Sequence, residues 1–284
     1  MAKSARGDNA RLKQLRAQQQ AQERRRRLLI AIGAVVAVVV VVAVLVVVSL
    51  VAPKKTSAGA TPLDAAVAST LTGIPAKAFD TVGVGQGASN PPKAISAPAL
   101  TADGKPRVLY VGAEFCPYCA AERWPFVAAM SRFGQFGNLQ ATASAAAPEV
   151  FPDTPTLSFH GATYTSQYLS FTGVETQTNT HLPLDTLSGD DQKLFDTYNS
   201  GGGIPWIDYG GKAASGGASI DATLLAGKTQ ATIAAEIADP ATPLSKAVLG
   251  SANVITARLC QLTGNQPAAV CTSSAVTAVA SSVQ

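Results

Sequence analysis

The motif Cys116-Pro117-Tyr118-Cys119 constrains this chain more than any other feature. The apolar run at 107–113, which is typical of a buried strand, precedes the motif, and a helical pattern at 120–130 follows it. Two cysteines separated by two residues can close a small disulfide and reopen it. The positive end of the helix dipole favours a thiolate over a thiol and lowers the pKa of a cysteine placed there. We therefore expect an α/β unit in which a strand delivers a redox-active pair to a helix N-terminus.

Residues 1–27 are strongly basic. They contain nine Lys or Arg residues against Asp8 and Glu23, a net charge of +7, whereas the rest of the chain has 13 basic and 16 acidic residues, a net charge of −3. A basic tail on a mildly acidic body lacks the basic surface that binds nucleic acid. We expect no nucleic-acid partner.

Residues 28–52 contain no charged residue, and a helix of about 20 such residues crosses a bilayer. The arginines at 24–27 place the N-terminus in the cytoplasm and residues 53–284 outside it. We therefore expect a single-pass protein of the cell membrane with an extracytoplasmic body. A cleaved signal peptide, cut near residues 58–60, is the alternative, although the apolar run exceeds the usual 7–15 residues. Both readings put the body where disulfides persist.

The body is expected to alternate between helices and strands. Residues 53–62 form a linker, and the extracytoplasmic domain covers 63–284. Helices are predicted at 63–80 (interrupted by Gly73 and Pro75), 189–198, 228–238 and 241–262. Further strands are predicted at 138–144, 156–160, 164–171 and 204–209, of which 156–160 and 164–171 are expected to pair.

The strand, the Cys-Pro-Tyr-Cys motif, the helix and the later Ile204-Pro205 resemble the thioredoxin superfamily. This resemblance implies a thioredoxin-like α/β fold with a cis-proline beside the cysteines, and that role maps onto Pro205. A proline there also means that its strand lies at a sheet edge or begins at the proline. The dipeptide Pro117-Tyr118 is similar to the glutaredoxin active site, over four residues only.

The interval from Cys119 to Pro205 is longer than the minimal thioredoxin fold needs. We therefore expect an insertion of strands and loops at about 148–190 and a C-terminal helical extension at about 241–275. Residues 111–124 and 164–168 are similar to an uncharacterised thioredoxin-like family, domain of unknown function 929, over roughly 63–275. That resemblance implies a fold and a CxxC pair but no established substrate.

Cys116 is expected to be the nucleophile, because the first cysteine of such a motif is the more exposed. Cys119, one turn inside, would resolve the mixed disulfide. A structural disulfide or half of a metal site is also compatible with the spacing. A zinc site would need two more ligands, and neither His160 nor His181 lies near a second such pair, so no metal is expected.

Several neighbours are candidate modulators of the pair. Glu114 is expected either to accept a proton from Cys119 or to raise a thiol pKa, or else to be solvated at the strand end. Pro117 and Tyr118 lie between the cysteines. Glu122 and Arg123 share a helix face, and a solvated ion pair is the favoured interpretation. Trp124 and Trp206 are expected to be core or rim aromatics.

Cys260 and Cys271 complete an even count of four cysteines. A disulfide between them would stabilise the domain by about 2–3 kcal/mol on the loop-entropy estimate. A structural role is favoured, because the spacing is not that of a reactive CxxC. The alternative is a second redox pair that relays electrons to Cys116 and Cys119.

These features together predict a membrane-anchored, extracytoplasmic thiol–disulfide oxidoreductase. Its partners would be extracytoplasmic protein thiols or disulfides and a membrane redox protein, with the membrane bound through 28–52. No organic cofactor is expected, because the disulfide itself carries the electrons. A non-enzymatic thioredoxin-like interaction module of the cell envelope is the alternative, and copper handling is a third, which the two histidines and two methionines disfavour.

Overall fold

A computed structural model describes residues 59–85 and 90–280 of the chain. The helices are α1 (Ala65–Thr72), α2 (Ala76–Val82), α3 (Pro117–Met130), α4 (Gly189–Tyr198), α5 (Gln230–Ala238), α6 (Pro243–Leu262), α7 (Ala268–Cys271) and α8 (Ser274–Val279). The strands are β1 (Thr61–Pro62), β2 (Lys93–Ala94), β3 (Thr101–Ala102), β4 (Lys105–Gly112), β5 (Gln135–Gly137), β6 (Gln140–Ala143), β7 (Pro155–Ser158), β8 (Thr163–Thr165), β9 (Ser170–Glu175), β10 (Trp206–Tyr209) and β11 (Ala213–Gly216).

The predicted basic tail, the predicted membrane helix and residues 53–58 of the predicted linker lie outside the described residues. Within 59–85 and 90–280, no helix has both the length and the apolar character that a membrane crossing requires.

A six-stranded sheet organises the domain around β4. Its strands follow the order β2-β11-β10-β4-β3, and β9 also pairs with β4. The β4–β9 pair is parallel, with Arg107 opposite Ser170, whereas β10 runs antiparallel to β4. Helix α3 follows β4 and precedes β9, so the helix belongs to the crossover that joins the two parallel strands. The α/β class expected from the sequence is confirmed.

Side chains of β4 alternate between two apolar cores, as the period of a strand requires. Val108 and Tyr110 belong to the main core, which also contains residues of α3 and α6. Leu109 and Val111 belong to a smaller core, which Leu194 and its neighbours in α4 cover. Helices therefore pack on both faces of the sheet, and both faces of β4 are buried.

Helix α6 is an integral part of the main core rather than an appendage. Thr242 caps it by accepting a hydrogen bond from the Ser245 backbone N–H at 3.0 Å, and Pro243 occupies its first turn. Nearly every residue from Leu244 to Cys260 is buried. The predicted extension at 241–275 therefore supplies much of the apolar surface against which α3 packs.

One sequence expectation about 148–190 is wrong. The strands predicted at 156–160 and 164–171 do not pair with each other: β7 pairs with β6, β8 pairs with β5, and β9 pairs with β4. Strand β9 lies within the segment expected to be an insertion and is hydrogen-bonded along the central strand; the insertion itself stays a prediction. Local residue patterns predict that strands exist, but they carry no information about partners so distant in the chain.

Strand β10 begins immediately after Pro205 and lies inside the sheet, between β11 and β4. The proline therefore marks the strand start and not a sheet edge. Gly210 and Gly211 turn the chain into β11 with φ values of +66° and +72°. Residues other than glycine rarely adopt such φ values, so this tight hairpin requires glycine at both positions.

Candidate active site

The Cys-Pro-Tyr-Cys motif lies where β4 ends and α3 begins. Cys116 is the N-cap of α3, and its Sγ accepts a hydrogen bond from the Cys119 backbone N–H at 3.2 Å. Pro117 occupies the first helical position, where an N–H would have no partner within the helix. Both cysteines are free thiols. The first turn of α3 therefore directs its backbone dipoles toward the sulfur of Cys116.

The segment before β10 lies beside this sulfur. The Ile204–Pro205 peptide bond is cis, and the carbonyl oxygen of Ile204 is 3.7 Å from Sγ of Cys116. The structure therefore brings Pro205 next to the cysteine pair, although the two lie far apart in sequence.

The two cysteines have opposite electrostatic environments. A hydrogen bond from the Cys119 thiol lowers the pKa of Cys116, and backbone N–H groups and the charge of Arg123 lower it further against the effect of burial. Burial, and then the same hydrogen bond, raise the pKa of Cys119 well above its ordinary value. Cys116 is 5% exposed and Cys119 is 0% exposed. Cys116 is thus both the more acidic and the more accessible thiol.

A buried ion pair lies behind the cysteines, and this corrects the expectation that Glu122 and Arg123 form a solvated face. Arg123 Nε and Nη2 donate to the Glu175 carboxylate at 2.9 and 2.6 Å. Nη2 also donates to the Ala113 carbonyl at 2.8 Å. Burial has the largest single effect and lowers the pKa of Arg123, but the charge of Glu175, its hydrogen bonds and the charges of Tyr110 and Cys119 together outweigh it, so the pKa is raised. Arg123 therefore pairs across to β9 and not with its chain neighbour.

Glu122 points to a different part of the core. Its Oε2 accepts hydrogen bonds from the backbone N–H and the hydroxyl of Ser219, at 2.7 and 2.5 Å. The Ser219 hydroxyl also accepts from the hydroxyl of Ser251 on α6. Burial raises the pKa of Glu122 to about 7, although the Ser219 hydrogen bonds oppose that rise. This carboxyl links the active-site helix to α6.

Glu114 is buried, so its predicted alternative as a solvated strand-end residue is wrong. Its backbone N–H donates to the Gln177 carbonyl at 2.9 Å, and its Oε1 has no hydrogen-bond partner among the described residues. Burial is the main cause of the raised pKa of Glu175, and the charge of Glu114 raises that pKa further. Glu114 therefore belongs to the charged cluster behind the cysteines, and its role in proton transfer stays a prediction.

Two loops frame the motif. The backbone N–H of Ala145, in the loop 144–154, donates to the Phe115 carbonyl at 2.8 Å. The loop 176–188 places the ring of His181 against that of Phe115, with centroids 4.3 Å apart. Tyr118 is 45% exposed and meets Phe151 edge to face at 6.0 Å. The neighbours of Phe151 and His181 in these loops, Val150 and Leu182, are 68% and 62% exposed.

Among the described residues, Tyr118, Val150 and Leu182 are the large apolar side chains that remain exposed. All three belong to the motif or to the two loops that frame it. We call these three residues the apolar rim.

The second cysteine pair is joined in a disulfide in the structure. Cys260, in the last turn of α6, is bonded to Cys271 at the end of α7, with Cα atoms 5.6 Å apart. Both residues belong to the main core. Whether this bond also exchanges with the Cys116–Cys119 pair stays a prediction.

The remaining candidates occupy structural positions. Trp124 and Trp206 are buried in the two cores, and Trp124 donates to the Pro155 carbonyl at 3.2 Å. His160 pairs with Asp185 at 2.7 Å. No group of three or more possible metal-ligating side chains occurs within 59–85 and 90–280.

Sequence reasoning missed Glu175 and misplaced Arg123. A signal was present: Glu122 and Arg123 are the charged residues of a helix whose other members are almost all apolar. A helix of that composition is buried on all sides, and a charge within it needs an internal partner. The identity of that partner depends on the β4–β9 pairing, which no local sequence pattern predicts.

Comparison with known proteins adds one finding. A family model described as "Domain of unknown function (DUF929)" matches residues 92–201. The match is shorter than the expected coverage of roughly 63–275, and it includes both motif cysteines, Arg123 and Glu175. No curated protein and no solved structure matches the chain.

Proposed function

We propose that this chain is a thiol–disulfide oxidoreductase with a thioredoxin-like fold, acting on protein clients through Cys116 and Cys119. The observation that carries the proposal is the asymmetry of the pair. Cys116 is the slightly more exposed thiol, at a helix N-terminus and with a lowered pKa, and Cys119 is fully buried with a raised pKa. The cis-proline segment beside Sγ of Cys116 supports the thioredoxin-like assignment.

The chemistry begins from the free thiols. The Cys116 thiolate attacks one sulfur of a client disulfide, a mixed disulfide forms, and the client's other sulfur leaves as a thiolate that takes a proton from water. Cys119 then loses its proton and attacks Sγ of Cys116. The Cys116–Cys119 disulfide forms, and the second client thiol is released. The client gains two electrons and two protons, and this chain loses them; the reverse sequence oxidises a client.

The apolar rim supports a polypeptide client over a small thiol. Unfolded or extended segments present apolar side chains, and Tyr118, Val150 and Leu182 offer exposed apolar surface on the motif and on the two loops that contact it. An extended segment would also be able to hydrogen-bond to the backbone that precedes Pro205. The same rim would serve a non-enzymatic interaction module, so exchange activity must be measured directly.

The test uses the full chain in detergent. Reduced protein is mixed with a disulfide-bonded protein, and oxidised protein with a reduced one, while released or consumed thiols are counted. Wild type should catalyse exchange in at least one direction, and Cys116→Ser should reduce it to the uncatalysed background. Binding of a client that persists in Cys116→Ser, with no exchange by wild type, would instead establish the interaction module.

We further propose that residues 28–52 anchor the chain in the cell membrane and that the domain is extracytoplasmic. Turnover would then require a membrane thiol carrier or a quinone-linked oxidant. A reporter that is active only outside the cytoplasm should work when fused after Gln284. Activity of the same reporter at the N-terminus would reverse the orientation, and a soluble fragment beginning near Thr61 would support cleavage.

A further inference from the structure

The charged cluster behind the motif contains more than the ion pair. Arg123 is 0% exposed and its Glu175 partner is also 0% exposed. Tyr110 on β4 lies under the guanidinium, with the ring centroid 5.9 Å from Cζ. Together with Cys116 and Cys119, Tyr110 and Glu175 are the titratable groups that interact with the charge of Arg123, and Glu114 acts on Glu175.

The position of Arg123 on α3 aims its charge at the cysteines. It lies four residues after Cys119, on the same helix face, and helical side chains lean toward the N-terminus. Its Nη2 reaches the carbonyl of Ala113, which also accepts the backbone N–H of Cys116 at 3.3 Å. The guanidinium therefore lies directly behind the turn that holds both sulfurs.

We propose that Arg123 is the positioning residue of the cysteine pair, supplying a fixed positive charge that favours the Cys116 thiolate, and that Glu175 holds the guanidinium in place. The inference rests on the proposed exchange function of that pair. Arg123 touches neither sulfur through a hydrogen bond, so it acts through its field and through the Ala113 carbonyl.

Structural stability alone gives a weak account of this ion pair. A buried pair is often replaceable by apolar residues of similar size without loss of stability, since desolvation offsets the attraction between the charges. Arg123 Nη1 also has no hydrogen-bond partner among the described residues. The guanidinium is thus not fully used by its protein partners, whereas its charge lowers the pKa of both thiols.

The proposal predicts shifts of opposite sign from the double variant and from Glu175→Gln alone. Arg123→Met combined with Glu175→Gln removes both charges and should raise the midpoint pH of Cys116 alkylation, because the charge of Arg123 acts on Cys116 more strongly than that of Glu175. Glu175→Gln alone leaves the positive charge uncompensated and should lower the midpoint. A group that only fills space would produce neither pattern.

The measurement is the rate of Cys116 alkylation by iodoacetamide as a function of pH, read by peptide mass in the reduced full chain in detergent. Arg123→Lys keeps the charge and should restore most of the wild-type midpoint. Arg132→Met is the matched control, because Arg132 is a second, partly buried arginine, just past the far end of α3, that lies over Phe79 at 4.4 Å. Its substitution should leave the midpoint unchanged.

The outcomes are separable. Equal midpoints in wild type, the double variant and Glu175→Gln would overturn the positioning role, even if exchange activity persists. Opposite shifts without any client exchange would uphold the positioning role and remove the proposed function. Should the double variant fail to fold, the downward shift in Glu175→Gln and the rescue in Arg123→Lys decide the question on their own.

Discussion

Cys116 and Cys119 occupy the first turn of α3 as free thiols, whereas Cys260 in the last turn of α6 is bonded to Cys271. All four residues are buried, so exposure does not separate the two pairs. The two pairs differ in their positions relative to the helix dipoles. Cys116 is at the positive N-terminus of α3, and Cys260 is near the negative C-terminus of α6, where a thiolate is disfavoured. Among the described residues, the first pair lies near Arg123 and the apolar rim. The comparison supports the proposal that local charge, and not accessibility alone, suits the first pair to exchange and the second to a permanent bond.

The two cysteines of the first pair should differ most in their rate of alkylation. After mild reduction Cys116 should be alkylated much faster than Cys119, because its pKa is lowered and that of Cys119 is raised. Cys119→Ser should accumulate mixed disulfides between Cys116 and clients, visible on non-reducing gels and by peptide mass, while Cys116→Ser should form none. Faster alkylation of Cys119 would reverse the roles of the two residues.

A second prediction concerns the contact between α3, which begins at the first cysteine pair, and α6, which contains Cys260. Glu122 makes this contact through Ser219 and Ser251. The pKa of Glu122 is raised from 4.5 to about 7, so its stabilising contribution is complete below about pH 4.5 and is lost as the pH rises through 7. The loss amounts to roughly 2–4 kcal/mol at the stated cost per pKa unit. Glu122→Gln should remove this pH-dependent loss of stability. The variant should therefore be more stable than wild type above pH 7, as measured by denaturant titration.

Glu236→Gln, which alters a partly exposed carboxyl paired with Lys228, is the control and should keep the wild-type pH profile. The profile should also survive loss of the Cys260–Cys271 bond, since the α3–α6 contact does not include it. A Glu122→Gln profile that matches wild type would mean that other groups govern the pH dependence.

A third prediction tests the second pair. Cys260→Ser with Cys271→Ser should lower the free energy of unfolding by about 2–3 kcal/mol, because the lost bond no longer restricts the unfolded chain. The exchange rate per folded molecule should stay unchanged. Titration of the wild type against a graded thiol–disulfide buffer should reduce Cys116–Cys119 first. If both pairs titrate together, or the variant folds but cannot be reoxidised, the second pair is a relay.

A fourth prediction, with the weakest effect, concerns the apolar rim. Among the described residues, the rim lies near the first cysteine pair and not near the second. Leu182→Ser or Val150→Ser should weaken binding of a polypeptide client by about 1 kcal/mol, or roughly fivefold in KM. Exchange with a small disulfide, which does not span the rim, is the internal control and should be unaffected. Equal losses toward both substrates would show that these changes act on the cysteines and not on the client.

The sequence predicts the parts of this site that depend on neighbours in the chain. The strand before Cys116, the helix after it, the helix at 189–198 and the glycine turn after Tyr209 all follow from short-range patterns. The parallel pairing of β4 with β9 does not, because its hydrogen bonds join residues more than fifty positions apart. The buried partner of Arg123 follows only from that pairing, and so a surface ion pair seemed the simpler interpretation.

The distance in sequence between Arg123 and Glu175 has a consequence for how the chain folds. These residues are 52 positions apart, whereas Cys260 and Cys271 are separated by 11, and closing the longer interval costs roughly 1 kcal/mol more in chain entropy. The local loop can form early in assembly, but the guanidinium is fixed only when β9 joins the sheet. Until then Cys116 should behave as an ordinary, weakly reactive thiol. Completion of the sheet would thus make Cys116 a reactive nucleophile. A newly made chain would not attack neighbouring chains, or its own Cys260 and Cys271, before its fold is finished.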